Sequence, residues 1–533
     1  MTPINEGSYD VLIVGGGPAG MVLALRLVAE GITNIKIVTK NTSIVTESRA
    51  AGIQARTLEL YRQIGVLDKI VAHTYTAPHM SFWAGGRHTA SISLSEGGKD
   101  VTPFNGVSCL PQDIHERVLL DRCREMNVKI DFGVSLDTFE DDGAQITAHY
   151  TTPAGPATCT ASYIVGADGA HSPVRHVLKL PFEGGSYKDS FFVADVEAHG
   201  KAFDGGSHIA LDGHDFLTVF PYAKDTHGRI IGCISLHENQ APTFEDVRAR
   251  ILKNIQVTVD KVNWFTTYRI HHRMADKFRV GRAFIIGDAA HIHSPAGGQG
   301  LNTGVHDAVN LGWKLAATIR NAKAGVNSDV LLDSFNTERV AFARALLHST
   351  DVIFSAATSD SWFNRFLHHV VIPLGITAVP YFPSLHRKFF LSMSQTAVHY
   401  RDSVLSKSGS GLGASSSNAA PAANSVQAGD RLPWVRSTAA DHEFDNTSAQ
   451  SGVNWTVHVY GSARPELRDY CAAHPKHIAL FEFPWGTEAH NAGFVRDAAY
   501  LIRPDLYIAC VGANHNEVEL IGDYFDERDI TVQ

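Results

Sequence analysis

Gly15, Gly17 and Gly20, in the run Gly15-Gly16-Gly17-Pro18-Ala19-Gly20, have the spacing of a pyrophosphate cradle. Gly15 permits a tight turn, Gly17 lets the backbone approach a phosphate with no Cβ in the way, and Gly20 allows close helix packing. A helix N-terminus then supplies N–H groups and a partial positive charge. The same glycines also suit a turn of no function, so the flanking elements decide. Tyr9 to Val14 is an apolar, β-branched run, Met21 to Glu30 has helical periodicity closed by Gly31, and Ile35 to Val38 is a second apolar run. Strand, turn, helix and strand form the β-α-β start of a dinucleotide-binding domain. The fingerprint expects an acidic residue at the end of the second strand, where this chain has Thr39-Lys40. On these residues alone the dinucleotide is open, and an NADP site is one reading.

Two further segments carry polar chemistry. Asp168-Gly169-Ala170-His171-Ser172-Pro173 follows the strand-like run Tyr163 to Ala167. Gly281 to His291 contains Gly287-Asp288 and continues through Ser294-Pro295-Ala296-Gly297-Gly298-Gln299-Gly300-Leu301-Asn302-Thr303-Gly304, and then Asp307, Asn310 and Trp313-Lys314. A strand ending in Gly-Asp places a carboxylate where it accepts hydrogen bonds from a ribityl or ribose chain. The glycine-rich turn, feeding a helix that starts near Leu301, offers backbone N–H groups to a flavin ring.

The elements that position these motifs are legible in outline. Between about Gly184 and Tyr268 short alternating runs, such as Phe191 to Val196, Phe216 to Pro221 and Ile230 to Leu236, predict an antiparallel sheet inserted into the nucleotide-binding domain. Helical spacing returns from Asp307 to Arg320 and from Asp333 to Thr350. Residues 406 to 429, rich in Ser, Gly, Ala and Pro, read as a flexible connector. Beyond it Trp455 to Tyr460, Ile478 to Phe483, Tyr500 to Ile502 and Tyr507 to Val511 read as strands of a small α/β domain. With 533 residues and 44% hydrophobic content, two or three cores are expected. The net charge of -9 is spread along the chain without a basic run, which excludes nucleic acid as an expected partner. The cysteines form no CxxC pair, so neither a disulfide framework nor a zinc site is expected, and a reducing, cytoplasmic setting is implied. The N-terminus has no signal-peptide pattern. Val370 to Phe382, broken by Pro373 and Pro380, falls short of the roughly 20 residues that span a membrane and is read as a buried segment.

Taken together, these motifs resemble those of the group A flavoprotein aromatic hydroxylases, which have the para-hydroxybenzoate hydroxylase fold, and look closest to the phenol hydroxylase subgroup. The resemblance is also carried by Ser48-Arg49-Ala50-Ala51-Gly52-Ile53-Gln54-Ala55-Arg56-Thr57-Leu58-Glu59, by Leu110-Pro111-Gln112 leading into Glu116-Arg117-Val118-Leu119, and by Tyr268 ahead of Arg273. The terminal segment, with Gly429 to Pro433 and Arg503-Pro504-Asp505, is similar to the thioredoxin-like domain of phenol hydroxylases but lacks a redox CxxC, which implies a homodimer or scaffold role. The resemblance implies an α/β architecture: a Rossmann-type FAD-binding domain over 1–183 and 276–400, an inserted substrate-binding β-sheet over 184–275, a linker over 401–430 and a thioredoxin-like domain over 431–533.

By the same resemblance Pro18 and Ala19 lie on the pyrophosphate, Thr39 and Lys40 near the adenosine ribose, and Arg49 and Gln112 beside the flavin. Asp288 binds the ribityl chain, Pro295 and Gly298 to Asn302 meet the isoalloxazine edge, and Asp168 is shared between FAD and a transient NADPH or NADH. Reduced flavin and O2 would form a C4a-hydroperoxide that hydroxylates a small aromatic substrate, with Tyr268 meeting the substrate hydroxyl. Phenol hydroxylases have an aspartate where this chain has Ala51, so another base, with His271, His208 and Tyr222 as candidates, or a substrate with an acidic hydroxyl is required. A polyketide or polycyclic tailoring monooxygenase and a non-catalytic flavin scaffold are the alternatives. His291 with His293, and His271 with His272, find no completing ligands at metal spacing, and no metal is expected.

Overall fold

The computed structural model describes residues 4–44, 52–212, 215–223, 226–234, 242–252, 255–293, 298–326, 328–358, 375, 377–407, 425–437, 444–448, 452–512 and 516–531. Arg49, Ala51 and Pro295, each singled out by the sequence, and most of the Ser/Gly/Ala-rich connector lie outside these residues.

The first layer is an eight-stranded mixed sheet whose five parallel strands lie in the order Ala283–Ile285, Gly155–Gly166, Ile4–Val14, Ile35–Thr39 and Ile130–Phe132. Val11 to Val14 are wholly or almost wholly buried, as a strand covered on both faces requires. The first strand begins at Ile4, five residues earlier than its apolar run. Asn5 and Ser8 pair across a register shift with Thr158 and Thr160. That extension is polar and largely exposed, so periodicity does not reveal it. The helix Pro18–Ala29 buries Met21 to Leu27 against this sheet and against the helix Gly300–Lys323. Each of its apolar side chains contributes about 1.5–3 kcal/mol of burial.

The second layer is an eight-stranded sheet in the order His291–Ile292, Val257–Ala275, Phe182–Gly200, His227–Ile234, Asp215–Pro221, Ser207–Asp212, Met80–Ala84 and Arg87–Ile92. It differs from expectation in two ways. Its last two strands come from residues before the expected insertion, and Ser207–Asp212 pairs with Met80–Ala84 in parallel. These runs are too short, at five and six residues, to be assigned to one sheet from their pattern. One face of the sheet is sealed by Phe192, Ala194, Leu217, Val219, Ile230 and Ile234 packed on Val247, Ile251 and Leu252. At the end of the expected buried segment, Tyr381 and Phe382 are instead 81% and 58% exposed.

The C-terminal residues form a separate four-stranded sheet in the order Ile478–Phe483, Trp455–Tyr460, Ala499–Ile502 and Ile508–Gly512. Its first pair is parallel and the other two pairs antiparallel. The helices Pro465–Ala473 and Glu517–Asp526 pack with it. All six cysteines are free and buried.

Candidate functional site

The glycine run closes as its spacing predicts. Gly15 has φ +118°, and a Cβ there would lie 2.1 Å from the Ala167 carbonyl oxygen; one on Gly20 would lie 2.0 Å from the Gly15 oxygen. Gly16 faces Thr39, whose methyl would be 3.1 Å from an added Cβ. Gly17 caps the helix Pro18–Ala29 without a side-chain hydrogen bond, and a Cβ there would project into open space. Those free N–H groups and that gap fit a phosphate. Ala19 packs against Gly287 and Gly304, so the pyrophosphate helix and the Gly-Asp turn meet directly. Thr39 is buried at its strand end and Lys40 is exposed beyond it.

Asp168 lies two residues beyond the end of the neighbouring strand Gly155–Gly166. One carboxylate oxygen accepts from the Val174 N–H at 3.3 Å, while Oδ1 is sealed with no partner among the described residues. Burial pushes its pKa up to about 6 against the pull of the Ser172 hydroxyl and the Val174 N–H. Asp288 lies exposed in the short 3-10 turn Gly287–Ala289. That turn is held from behind. The Gly287 N–H, at φ +58°, donates to Asp307 Oδ2 at 2.9 Å, His291 Nε2 bonds the same oxygen at 2.8 Å, and Arg339 Nε bonds Oδ1 at 2.6 Å. Burial works against the ionised Asp307, but Arg339, His291 and the Gly287 N–H hold it well below the usual carboxylate range. Asp307 and Arg339 were not assigned a role from the sequence, because their partners come together only in three dimensions.

Gly298, at φ +63° with open space around its Cα, precedes Gln299, which caps the helix Gly300–Lys323. Asn302 is wholly buried. Its Oδ1 accepts from the Gln54 N–H and the Thr57 hydroxyl, both at 2.8 Å, and its Nδ2 donates to Gly52 O at 3.0 Å and Gly298 O at 2.9 Å. The side chain is therefore fully used in tying this turn to residues 52–57, and Asn302 can meet a flavin only through its backbone. Leu301 is half-buried beside it. Gln112 begins the helix Gln112–Glu125 and donates to Glu116 at 2.8 Å.

Facing this turn is the second face of the large sheet, and its register lays out three rows. Phe216, Cys233, Phe191 and Tyr268 form the first, Thr218, Ile231, Val193 and Thr266 the second, and Phe220, Arg229, Asp195 and Trp264 the third. A Cβ on Gly52 would lie 3.9 Å from Phe220, which places the floor next to Asn302. Tyr268 is half-buried, its ring 6.1 Å from that of Phe191. Arg229 is sandwiched between the Tyr222 and Trp264 rings, at 5.2 and 5.1 Å, and bonds Asp195 at 3.2 Å. Burial raises Asp195, but bonds from His227 and Asn263 and the Arg229 charge outweigh it and leave the carboxyl below its ordinary value. The floor residues other than Tyr268 were not singled out in the sequence, although the alternation of Phe216 to Pro221 marks which side chains share a face.

The candidate bases separate on this geometry. His208 is opposite Val219, on the sealed face, so it does not reach the floor. Its Nδ1 accepts the Trp83 N–H at 3.0 Å, which puts its proton on Nε2, bonded to Asp204 at 2.8 Å. His79 completes a group of possible metal ligands with these two, but a metal on Nε2 would displace that proton and compete with this arrangement. Tyr222 has its hydroxyl sealed without a partner among the described residues, and burial pushes the phenol well above its ordinary range. It is a hydrogen-bond donor rather than a base. His271 is held below its ordinary value by burial and by Arg273.

A nucleotide-binding layer, a Gly-Asp turn and an aromatic sheet floor gathered around the N-termini of Pro18–Ala29 and Gly300–Lys323 are the features of a flavin-dependent oxidoreductase. The chain belongs to the FAD binding domain family, whose profile matches residues 8–350, and is a flavin-dependent monooxygenase. It is 31% identical over 425 residues to a 6-methylpretetramide 4-monooxygenase of Streptomyces rimosus, covering 78% of this chain and 73% of that one. It is 30% identical over 357 residues to a 3-(3-hydroxy-phenyl)propionate/3-hydroxycinnamic acid hydroxylase of Mycolicibacterium smegmatis, covering 66% and 61%. Among solved structures it is similar to an anhydrotetracycline hydroxylase from Streptomyces rimosus, with a TM-score of 0.73, 25% identity and coverage of 97% and 98%. The residues present fit FAD: the uncapped helix behind Gly17, the sealed Asp168 oxygen and the exposed Asp288 are a cradle and acceptors of the required kind. Among the described residues no helix is long and apolar enough to cross a membrane.

Proposed function

We propose that this protein hydroxylates an electron-rich, phenolic aromatic compound with O2 and NADPH or NADH. The aromatic floor beside the Asn302 turn carries the reading. Gly15, Gly17, Pro18, Ala19 and Gly20 hold the pyrophosphate of FAD, Thr39 and Lys40 its adenosine end, Asp288 its ribityl chain, and Gly298 to Leu301 its ring edge, with Gln112 alongside. Bound FAD takes electrons from the nicotinamide and activates O2 as an electrophile.

The chain's own residues do the rest. Phe191, Phe216 and Phe220 give the substrate ring an apolar face to lie on and exclude water from it. Tyr268 meets the substrate hydroxyl and orients it, and Tyr222 offers a second O–H. Since the Tyr222 phenol stays protonated, it steers a phenolate or carbonyl oxygen and does not remove a proton. A substrate with an acidic hydroxyl, such as a polyphenol or hydroxybenzoate, needs no base here.

The width of the floor favours a second reading. Four strands at their usual spacing span roughly 14 Å, which suits a fused-ring polyketide better than one benzene ring, and two of the relatives above act on such compounds by name. The C-terminal strand order, with one parallel and two antiparallel pairs, supports a thioredoxin-like domain over about 431–533 and membership of the phenol hydroxylase-like subgroup. A homodimer, the division into 1–183 with 276–400 and 184–275, and the linker over 401–430 belong to the same proposal. The test is aerobic NADPH and NADH oxidation against single-ring phenols, hydroxybenzoates and fused-ring phenols, with product mass. A product heavier by one oxygen from a single-ring phenol supports the first reading, one from fused rings alone supports the second, and oxidation that no aromatic stimulates refutes both.

A further inference from the structure

The C-terminal sheet is joined to the rest of the chain by apolar packing and by buried charge. Trp313, Ala317 and Leu331 pack with Trp455, Leu501 and Tyr524. Beside them Arg503, 0% exposed, donates to both oxygens of Glu338 at 2.7 and 3.0 Å and to both oxygens of Asp505 at 2.9 and 2.7 Å. Asn310 donates to Asp505 at 3.1 Å and to Glu338 at 2.8 Å, and Lys314 donates to Glu338 at 2.6 Å. The backbone of the same turn is engaged too. The Asp505 carbonyl accepts from Arg56 at 2.7 Å, and the Pro504 carbonyl accepts from Arg26 at 3.1 Å and Gln63 at 2.8 Å.

One turn, Arg503 to Asp505, thus grips Val330–Thr358 through Glu338 and, besides it, three helices that lead to the site. Those three are Pro18–Ala29 through Arg26, Ala55–Gln63 through Arg56 and Gln63, and Gly300–Lys323 through Asn310. The first starts at the Gly17 gap. The other two meet at Asn302, which bonds Gln54 and Thr57, and the third also carries Asp307, which holds the Gly287–Ala289 turn. Apolar packing alone could join the two parts. Buried ions lose solvation and seldom add net stability over apolar groups of the same size, but their directional bonds fix one arrangement. Such bonds set how far each helix stands along its axis and how it is rotated.

We propose that the Arg503–Asp505 turn is a positioning device for the flavin site, through which the C-terminal unit sets the two helix N-termini that receive FAD, at Gly17 and Gly298, and the start of Ala55–Gln63 that braces the second of them. Its residues act through the helices and touch no reacting atom. The proposal rests on the assignment of FAD to these helix ends.

The test compares apoprotein variants for FAD dissociation constant by flavin-fluorescence titration, circular dichroism of the bound flavin and urea midpoint. Arg503→Lys keeps the charge and loses the fork, and Asn310→Ala removes only the bonds on the helix. Each should weaken FAD binding about tenfold, the scale of one charged hydrogen bond, and alter the flavin dichroism. Phe494→Leu is the control, since this side chain is buried wholly within the C-terminal unit, its ring 3.9 Å from that of Tyr460. It should lower the urea midpoint and leave FAD affinity unchanged. Wild-type affinity in Arg503→Lys and Asn310→Ala overturns the proposal, as does equal weakening in Phe494→Leu. Should Arg503→Lys not fold, Asn310→Ala decides. Asp288→Ala, measured alongside, tests the FAD assignment: its loss of FAD beside unaffected clamp variants overturns the positioning device alone.

Discussion

Replacing Asp168 with Asn should stabilise the apoprotein, and only where the carboxyl would otherwise be charged. Asp168 has one oxygen sealed without a partner among the described residues, and burial lifts its pKa from 3.8 to about 6. A carboxyl whose folded pKa stands above its unfolded value contributes fully below pH 3.8, and that contribution is lost as the pH rises through about 6. The difference of about two pK units, at about 1.36 kcal/mol each, sets the cost of the ionised form at ~3 kcal/mol above pH 7. Asn fills the same space without the charge. Urea unfolding of the two apoproteins at pH 4, 6 and 8 should therefore show near-equal stability at pH 4 and a gain for Asp168→Asn that grows to ~3 kcal/mol by pH 8. All other carboxyls are common to both proteins and cancel. A gain that is independent of pH, or a loss at pH 8, would refute the reasoning that desolvation dominates at this position.

Other expectations are more direct. Asp288→Ala should lose most of its FAD through gel filtration, and a fully yellow variant counts against the assignment. Tyr268→Phe should hold FAD at wild-type affinity and yet hydroxylate poorly, read as NADPH consumed per product formed; unchanged coupling removes Tyr268 from the substrate contacts. Gly15→Ala would set a Cβ 2.1 Å from a backbone carbonyl, whereas Gly31→Ala meets nothing within 4 Å and bears only its φ of +85°. By urea unfolding Gly31→Ala should cost about 1 kcal/mol, and Gly15→Ala should not accumulate as folded protein.

The parts that the sequence revealed are those whose physics is local. The glycine run, its helix and the paired strands follow from spacing within 30 or so neighbouring residues. Gly287-Asp288 was legible because its chemistry sits in adjacent residues. Asp307 was legible as a member of the same motif but not in its role, since nothing in its own helix indicates that it holds a turn 20 residues earlier. His208 was misplaced for the same reason: residue type suggests a base, but only register shows which face of the sheet it occupies. The short strand Met80–Ala84 was missed because it is ordered by a partner strand more than 100 residues away, and Arg87–Ile92 joins the sheet only by pairing with it. Asn302 illustrates a subtler limit, in that its position was anticipated and its four internal bonds were not.

The rows of the sheet floor have a consequence for how such a protein can change. Phe216, Thr218 and Phe220 alternate with Leu217 and Val219, so each strand divides its residues between the floor proposed to take the substrate and a sealed core. A substitution on the first set alters what is accommodated and leaves the packing of the second in place. Drift in substrate range can thus accumulate along these strands one alternate residue at a time, with folding stability largely insulated from it.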